Sequence, residues 1–130
     1  MARLLRAGIA MEKNRPAEAA KIYAEVAASD DLPPALRDLA VVREVAATYD
    51  TRKPDDVIAR LKPLAIPGKP YFGSAAEMVA MAYLQQGKRS EAGALFSEIA
   101  KDDTVPDGLR SRARQMAGLL GVDAIEDVDE

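Results

Sequence analysis

The chain has 130 residues, a length that fits one domain, and it contains no His, Cys or Trp. Without Cys there is no disulfide framework and no thiolate metal site, and without His the commonest metal ligand and the usual general base are missing. The net charge of −3 conceals five acids and no base in residues 123–130, which leaves +2 on residues 1–122, too close to neutral for a nucleic-acid footprint.

Seven helices are predicted in chain order. The first covers about 2–13. The second, about 17–28, sets Ala19, Ile22, Tyr23, Val26 and Ala27 in one apolar stripe at the helical period, and Asp30, Asp31, Pro33 and Pro34 end it. The third, about 35–49, is apolar over most of its circumference and is expected to be sandwiched. The fourth opens at Lys53-Pro54-Asp55-Asp56, and Pro63 is expected to kink or shorten it. Ile66-Pro67-Gly68-Lys69-Pro70 reads as a linker. The fifth helix follows at about 73–86 and is stopped by Gly87; the sixth begins at Ser90 and repeats the stripe with Ala92, Leu95, Phe96, Ile99 and Ala100. The seventh covers about 107–120 and closes at Gly121. The acidic segment 123–130 reads as a solvated, disordered end. The longest stretch without a charge is Met78–Gly87, half of what a membrane span needs, and the opening MARLLRAGIAME is too short and too soon charged for a secretory signal.

The strongest pattern is internal. Residues 14–37 and 87–110 align without a gap, 73 residues apart, and share Glu18/Glu91, Ala19/Ala92, Glu25/Glu98, Ala27/Ala100, Asp30/Asp103, Pro33/Pro106, Leu36/Leu109 and Arg37/Arg110. A weaker copy, Asp56, Val57, Leu61, Leu64 and Ala65, lies between them. A period in the middle thirties marks a helical repeat array, and such arrays bind more often than they catalyse.

Chemistry finds little footing. No Ser lies in a G-x-S-x-G turn, no Gly-rich phosphate loop occurs, and no acid run has calcium-loop spacing. The pairs Asp30/Asp31, Asp55/Asp56 and Asp102/Asp103 flank helices, where Asp makes turn and cap hydrogen bonds. Arg110, Arg112 and Arg114 read as a solvated face, with Arg112 turned away from the other two. No catalytic, cofactor or metal residue is therefore assigned, and the chain reads as a non-enzyme.

Tyr83, Gly87, Ala92 and Phe96, with Ala80 at the small position, have the spacing of the tetratricopeptide (TPR) pattern. The Trp of that pattern is replaced by Ala76, and its Pro arrives two residues late at Pro106. Ala19 and Tyr23 match in the first unit, where Asn14 stands for Gly; Val57 and Leu61 substitute in the middle one. The paired SDDLPPALRDLA (29–40) and KDDTVPDGLRSRA (101–113), with MAGLLG (116–121), also resemble the periplasmic TPR-like domain of the YfgM-like family, in its alphaproteobacterial form. The resemblance implies an all-α, right-handed solenoid of three helix pairs plus a C-terminal capping helix, over residues 1–122. It implies an adaptor without catalysis, anchored by a membrane helix outside this chain at the periplasmic face of a bacterial inner membrane, near the Sec translocon and periplasmic chaperones.

In TPR arrays the first helix of each pair lines the concave surface. Transferred here, that rule selects Leu4, Gly8 and Met11, then Val42, Ala46 and Tyr49, then Glu77, Met81 and Leu84 as a groove for a protein or peptide. Such a surface is apolar and Met-rich, suited to a helix or extended segment. Glu77 and Met81 stand where carboxylate-clamp repeats hold Lys and Asn, which disfavours capture of a chaperone C-terminus. Two other outcomes stay open: the same residues form core beneath a last helix, or the apolar face joins a second copy. Tyr71 and Phe72, if exposed, are contact candidates.

Overall fold

The computed structural model describes residues 2–122. Among them it is all-α, with helices α1 (Ala2–Glu12), α2 (Pro16–Ala27), α3 (Pro34–Ala47), α4 (Pro54–Leu61), α5 (Phe72–Gln85), α6 (Arg89–Lys101) and α7 (Asp107–Leu119), and no strand. The acidic segment expected at 123–130 lies outside the described residues. The chain divides into two compact units, Met1–Arg60 and Leu61–Glu130.

Proline sets several boundaries. α2, α3 and α4 each begin at a Pro, whose missing N–H costs nothing in a first turn. Pro63 does what its ring dictates: α4 stops at Leu61 and the chain continues as a 3₁₀ turn, Lys62–Leu64. Asp102 bridges the end of α6 to the next turn. The Thr104 hydroxyl and amide both donate to its carboxylate, and they hold that carboxyl below its usual range.

Each unit contains a three-helix sandwich, and the first also holds most of α4. α2 packs on α1 and α3, and α6 packs on α5 and α7. In the first unit Ala7, Ala10, Ala19, Tyr23, Val26 and Ala40 form the core. In the second, Phe72, Ala76, Ala80, Ala92, Phe96, Ile99, Ala113 and Ala117 belong to it. Alanines occupy matching core places, Ala7/Ala80, Ala19/Ala92 and Ala40/Ala113, all fully or almost fully buried. Small side chains there let the helix axes approach, and Tyr23 or Phe96 fills the space alongside.

The 73-residue repeat recurs in the backbone conformation and hydrogen bonds of its turns. Gly87 adopts a left-handed φ of 76°, and Asn14, its counterpart, adopts 57°. The Arg15 amide donates to the Ala10 carbonyl (2.8 Å) and Asn14 to Met11 (3.0 Å); Lys88 donates to Tyr83 (2.9 Å) and Gly87 to Leu84 (2.9 Å). This is one helix-ending motif made twice, and Asn serves in the first copy because it tolerates the left-handed well better than other side-chain-bearing residues. The second turn also recurs. Pro33 and Pro106 have φ,ψ of −57°, 145° and −57°, 147°. Arg37 pairs with Asp30 at 3.9 Å, and Arg110 with Asp103 at 3.7 Å.

Gly87→Ala is expected to lower the unfolding free energy by about 1–2 kcal/mol, the cost of a Cβ in the left-handed well. Asn14→Gly should change it by less than about 0.5 kcal/mol, because relief of strain is offset by a looser unfolded chain. Urea titration of both variants checks the pair.

Candidate functional site

The residues selected from the sequence divide between the units. In the first, Leu4 is half-buried against the α1–α2 core, Met11 is 43% exposed, Val42 is buried, Ala46 is exposed and Tyr49 is half-buried. In the second, Glu77 and Leu84 are half-buried and Met81 is 39% exposed. Leu84 packs on the α5–α6 core. The residues that present side chains to solvent are thus Met11, Ala46 and Met81. Leu4, Val42 and Leu84 contribute mainly to packing.

Glu77 is not a free acid. Arg112 donates from Nε (3.1 Å) and Nη2 (3.2 Å) to its two carboxylate oxygens, so α7 is tied to α5 by a bidentate pair. Arg112, read from the sequence as pointing into solvent, instead reaches the first helix of its unit. The equivalent positions in the first unit, Leu4 and Leu39, are apolar and half-buried. Arg110 is also structural, since it joins Asp103 and Asp107.

Tyr49 opens a 3₁₀ turn, Tyr49–Thr51, just past α3. Burial, followed by the charge of Asp50, pushes its phenol above the ordinary value, so it is neutral at physiological pH. Its hydroxyl is buried without a hydrogen-bond partner among the described residues. Close by in sequence lies a cluster that sequence reasoning missed. Glu44, 8% exposed, accepts from Arg52 at 2.7 Å and from Arg60 of α4, and Arg52 also pairs with Asp56. On this side the third helix is held by charge. A carboxylate this deep requires cationic partners, because desolvation would otherwise exceed what packing returns. The signal was available: Arg43 and Glu44 interrupt the apolar stretch Leu39–Val45, and the repeat counterpart of Glu44 is Ala117.

Phe72 is 2% exposed and belongs to the second core, so it is unavailable as a contact residue. Tyr71 is half-buried at the mouth of a cleft of about 300 Å³ shared with Val105 and Leu109. Among the described residues no group of three or more acids, His or Cys is placed to hold a metal ion, and no helix is long and apolar enough to cross a membrane. No family model, curated protein or solved structure matches the chain.

The two acids make different contributions. Glu44→Ala is expected to cost about 2 kcal/mol, since it leaves the half-buried guanidinium groups of Arg52 and Arg60 short of an acceptor. Glu77→Ala should cost less than about 1 kcal/mol, as its pair with the exposed Arg112 is solvent-screened. Thermal and urea unfolding of both variants measure the difference.

Proposed function

We propose that the chain is a non-catalytic protein–protein interaction module of the tetratricopeptide type, holding apolar or helical segments of partner proteins on its first-helix faces. The observation that carries this reading is the left-handed turn, prolyl helix start and Asp–Arg pair remade at an interval of 73 residues. Stacked helical hairpins make extended surface, and presenting surface is how such arrays act. Met11 and Met81 support the choice of faces. Each is a flexible apolar side chain held in solvent, the kind of contact that adapts to varied partners. Leu4 and Leu84 support the helices from beneath, so changing them tests folding rather than docking.

A second reading, self-association through the same apolar side chains, rests on the exposure of Met11 and Met81. In the setting suggested by the YfgM-like resemblance, the module works at the periplasmic face of an inner membrane, beside the Sec translocon or periplasmic chaperones.

The triple variant Met11→Glu, Ala46→Glu, Met81→Glu is expected to keep its helical circular dichroism and lose at least tenfold of each protein captured by the immobilised wild type. Undiminished capture by the folded variant would end the groove reading. Light scattering is expected to give a concentration-independent monomer, whereas a dimer that this variant dissolves would establish the self-association reading instead. Fractionation of the natural host, with protease accessibility in spheroplasts, is expected to find the protein at the outer side of the inner membrane. A cytosolic location would remove the translocon setting while leaving the module intact.

A further inference from the structure

α7 ends as α5 ends. Gly121 lies thirty-four residues after Gly87 and has a φ of 85° against 76°. The Val122 amide donates to the Ala117 carbonyl (2.8 Å) and Gly121 to Gly118 (3.1 Å), as Lys88 donates to Tyr83 (2.9 Å) and Gly87 to Leu84 (2.9 Å). After Gly87 this turn returns the chain as α6, packed on α5. After Gly121 it sends the chain onto α6 again. Val122 sits against Gly93, where a Cβ would lie 2.9 Å from its side chain.

Val122 is also one wall of a cleft of about 510 Å³ that follows α6 along Ala94, Ser97, Glu98 and Lys101. Ser97 is 4% exposed, and its hydroxyl has no hydrogen-bond partner among the described residues. Its repeat counterpart is Ala24, so the repeat itself does not call for a hydroxyl there. A buried hydroxyl requires a partner, and a group seated in the cleft supplies one.

The sequence that follows has the pattern to fill it. Val122, Ile125 and Val128 recur every three residues, and Asp123, Glu126, Asp127, Asp129 and Glu130 stand between and after them. Wound as a helix, the three apolar residues share one face. Val122 to Val128 then rises about 9 Å, and Gly93 to Lys101 about 12 Å, so the segment and the cleft match in length. Glu98 disfavours acids over the middle of α6, and Lys101 favours them at its far end. Attachment at Val122 gives the segment a high effective concentration at the cleft.

We propose that residues 123–130 of this chain are a strap for α6, seated in the cleft as a helical turn parallel to it. Ile125 lies against Ala94 and Ser97, an acceptor of the segment takes the Ser97 hydroxyl, and the acids reach Lys101. The strap makes the chain's own end the occupant of this face. It is separate from the first-helix faces of Met11 and Met81 and stands or falls without them.

The test uses the full chain, which has no Cys and so accepts a pair at chosen places. Under oxidised glutathione, Ala94→Cys with Ile125→Cys is expected to close an intramolecular disulfide at least about tenfold faster than Met81→Cys with Ile125→Cys. In the unaltered protein, nitrogen-15 relaxation is expected to give backbone order parameters above about 0.6 for residues 124–128. Ile125→Glu should bring them below about 0.6 while the amide spectrum of α5 and α7 stays in place. Equal closure rates for the two cysteine pairs overturn the proposal. Order parameters below about 0.6 in the unaltered protein, or values indifferent to Ile125→Glu, do the same. So does a disulfide that joins two chains, because the occupant is then the segment of a second copy.

Discussion

Close approach of helix backbones at alanine is the constraint on which each unit rests. Ala7, Ala19 and Ala40 in the first, and Ala80, Ala92 and Ala113 in the second, sit in the cores the helices share and leave almost nothing for solvent to reach. Interaxial distance follows the side chains at the contact, so a larger residue at any of these places would push two helices apart and strip contacts from Tyr23 or Phe96. The left-handed turns at Asn14 and Gly87 serve the same end. Each reverses the chain within a few residues while giving the last carbonyls of the preceding helix their hydrogen bonds, and so returns the next helix close enough for alanine-to-alanine packing.

What the two halves preserve is conformation more than identity. Asn and Gly occupy matching left-handed positions, Tyr and Phe matching interior ones, and Val and Ile likewise. Identity at Asp30/Asp103, Pro33/Pro106 and Arg37/Arg110 goes with a specific bond or a fixed φ, and at Ala19/Ala92 with a small buried side chain. Where the halves diverge, each position has acquired a separate task. Glu44 calls for Arg52 and Arg60 and thereby binds α3 to the helix after it. Its counterpart Ala117 has no such demand. There Gly121, in the left-handed region, turns Val122 back towards Gly93, where a Cβ would lie 2.9 Å from the Val122 side chain.

The same divergence shapes the surfaces. An ion pair, Glu77 with Arg112, joins α5 and α7, where apolar Leu4 and Leu39 occupy the matching positions. Arg6 stands in place of Val79, and the α1–α2 cleft lining it joins is mainly basic, whereas the α5–α6 cleft carries Glu91 and Glu98. Between the two copies the positions that hold the helices together stay fixed, and those facing outward differ.

Helix number, approximate boundaries, the repeat, its turns and the alanine stripe were all legible in the residues. They depend on local chain chemistry: the 3.6-residue period, the φ of proline, the left-handed tolerance of Gly and Asn. The division into two units, the burial of Phe72 and Glu44, and the pairing of Arg112 with Glu77 were decided by the tertiary structure. Whether a side chain meets solvent, an opposite charge or another helix depends on what packs against its element from distant parts of the chain. Periodicity gives a helix its faces, but only the neighbours determine which face is covered.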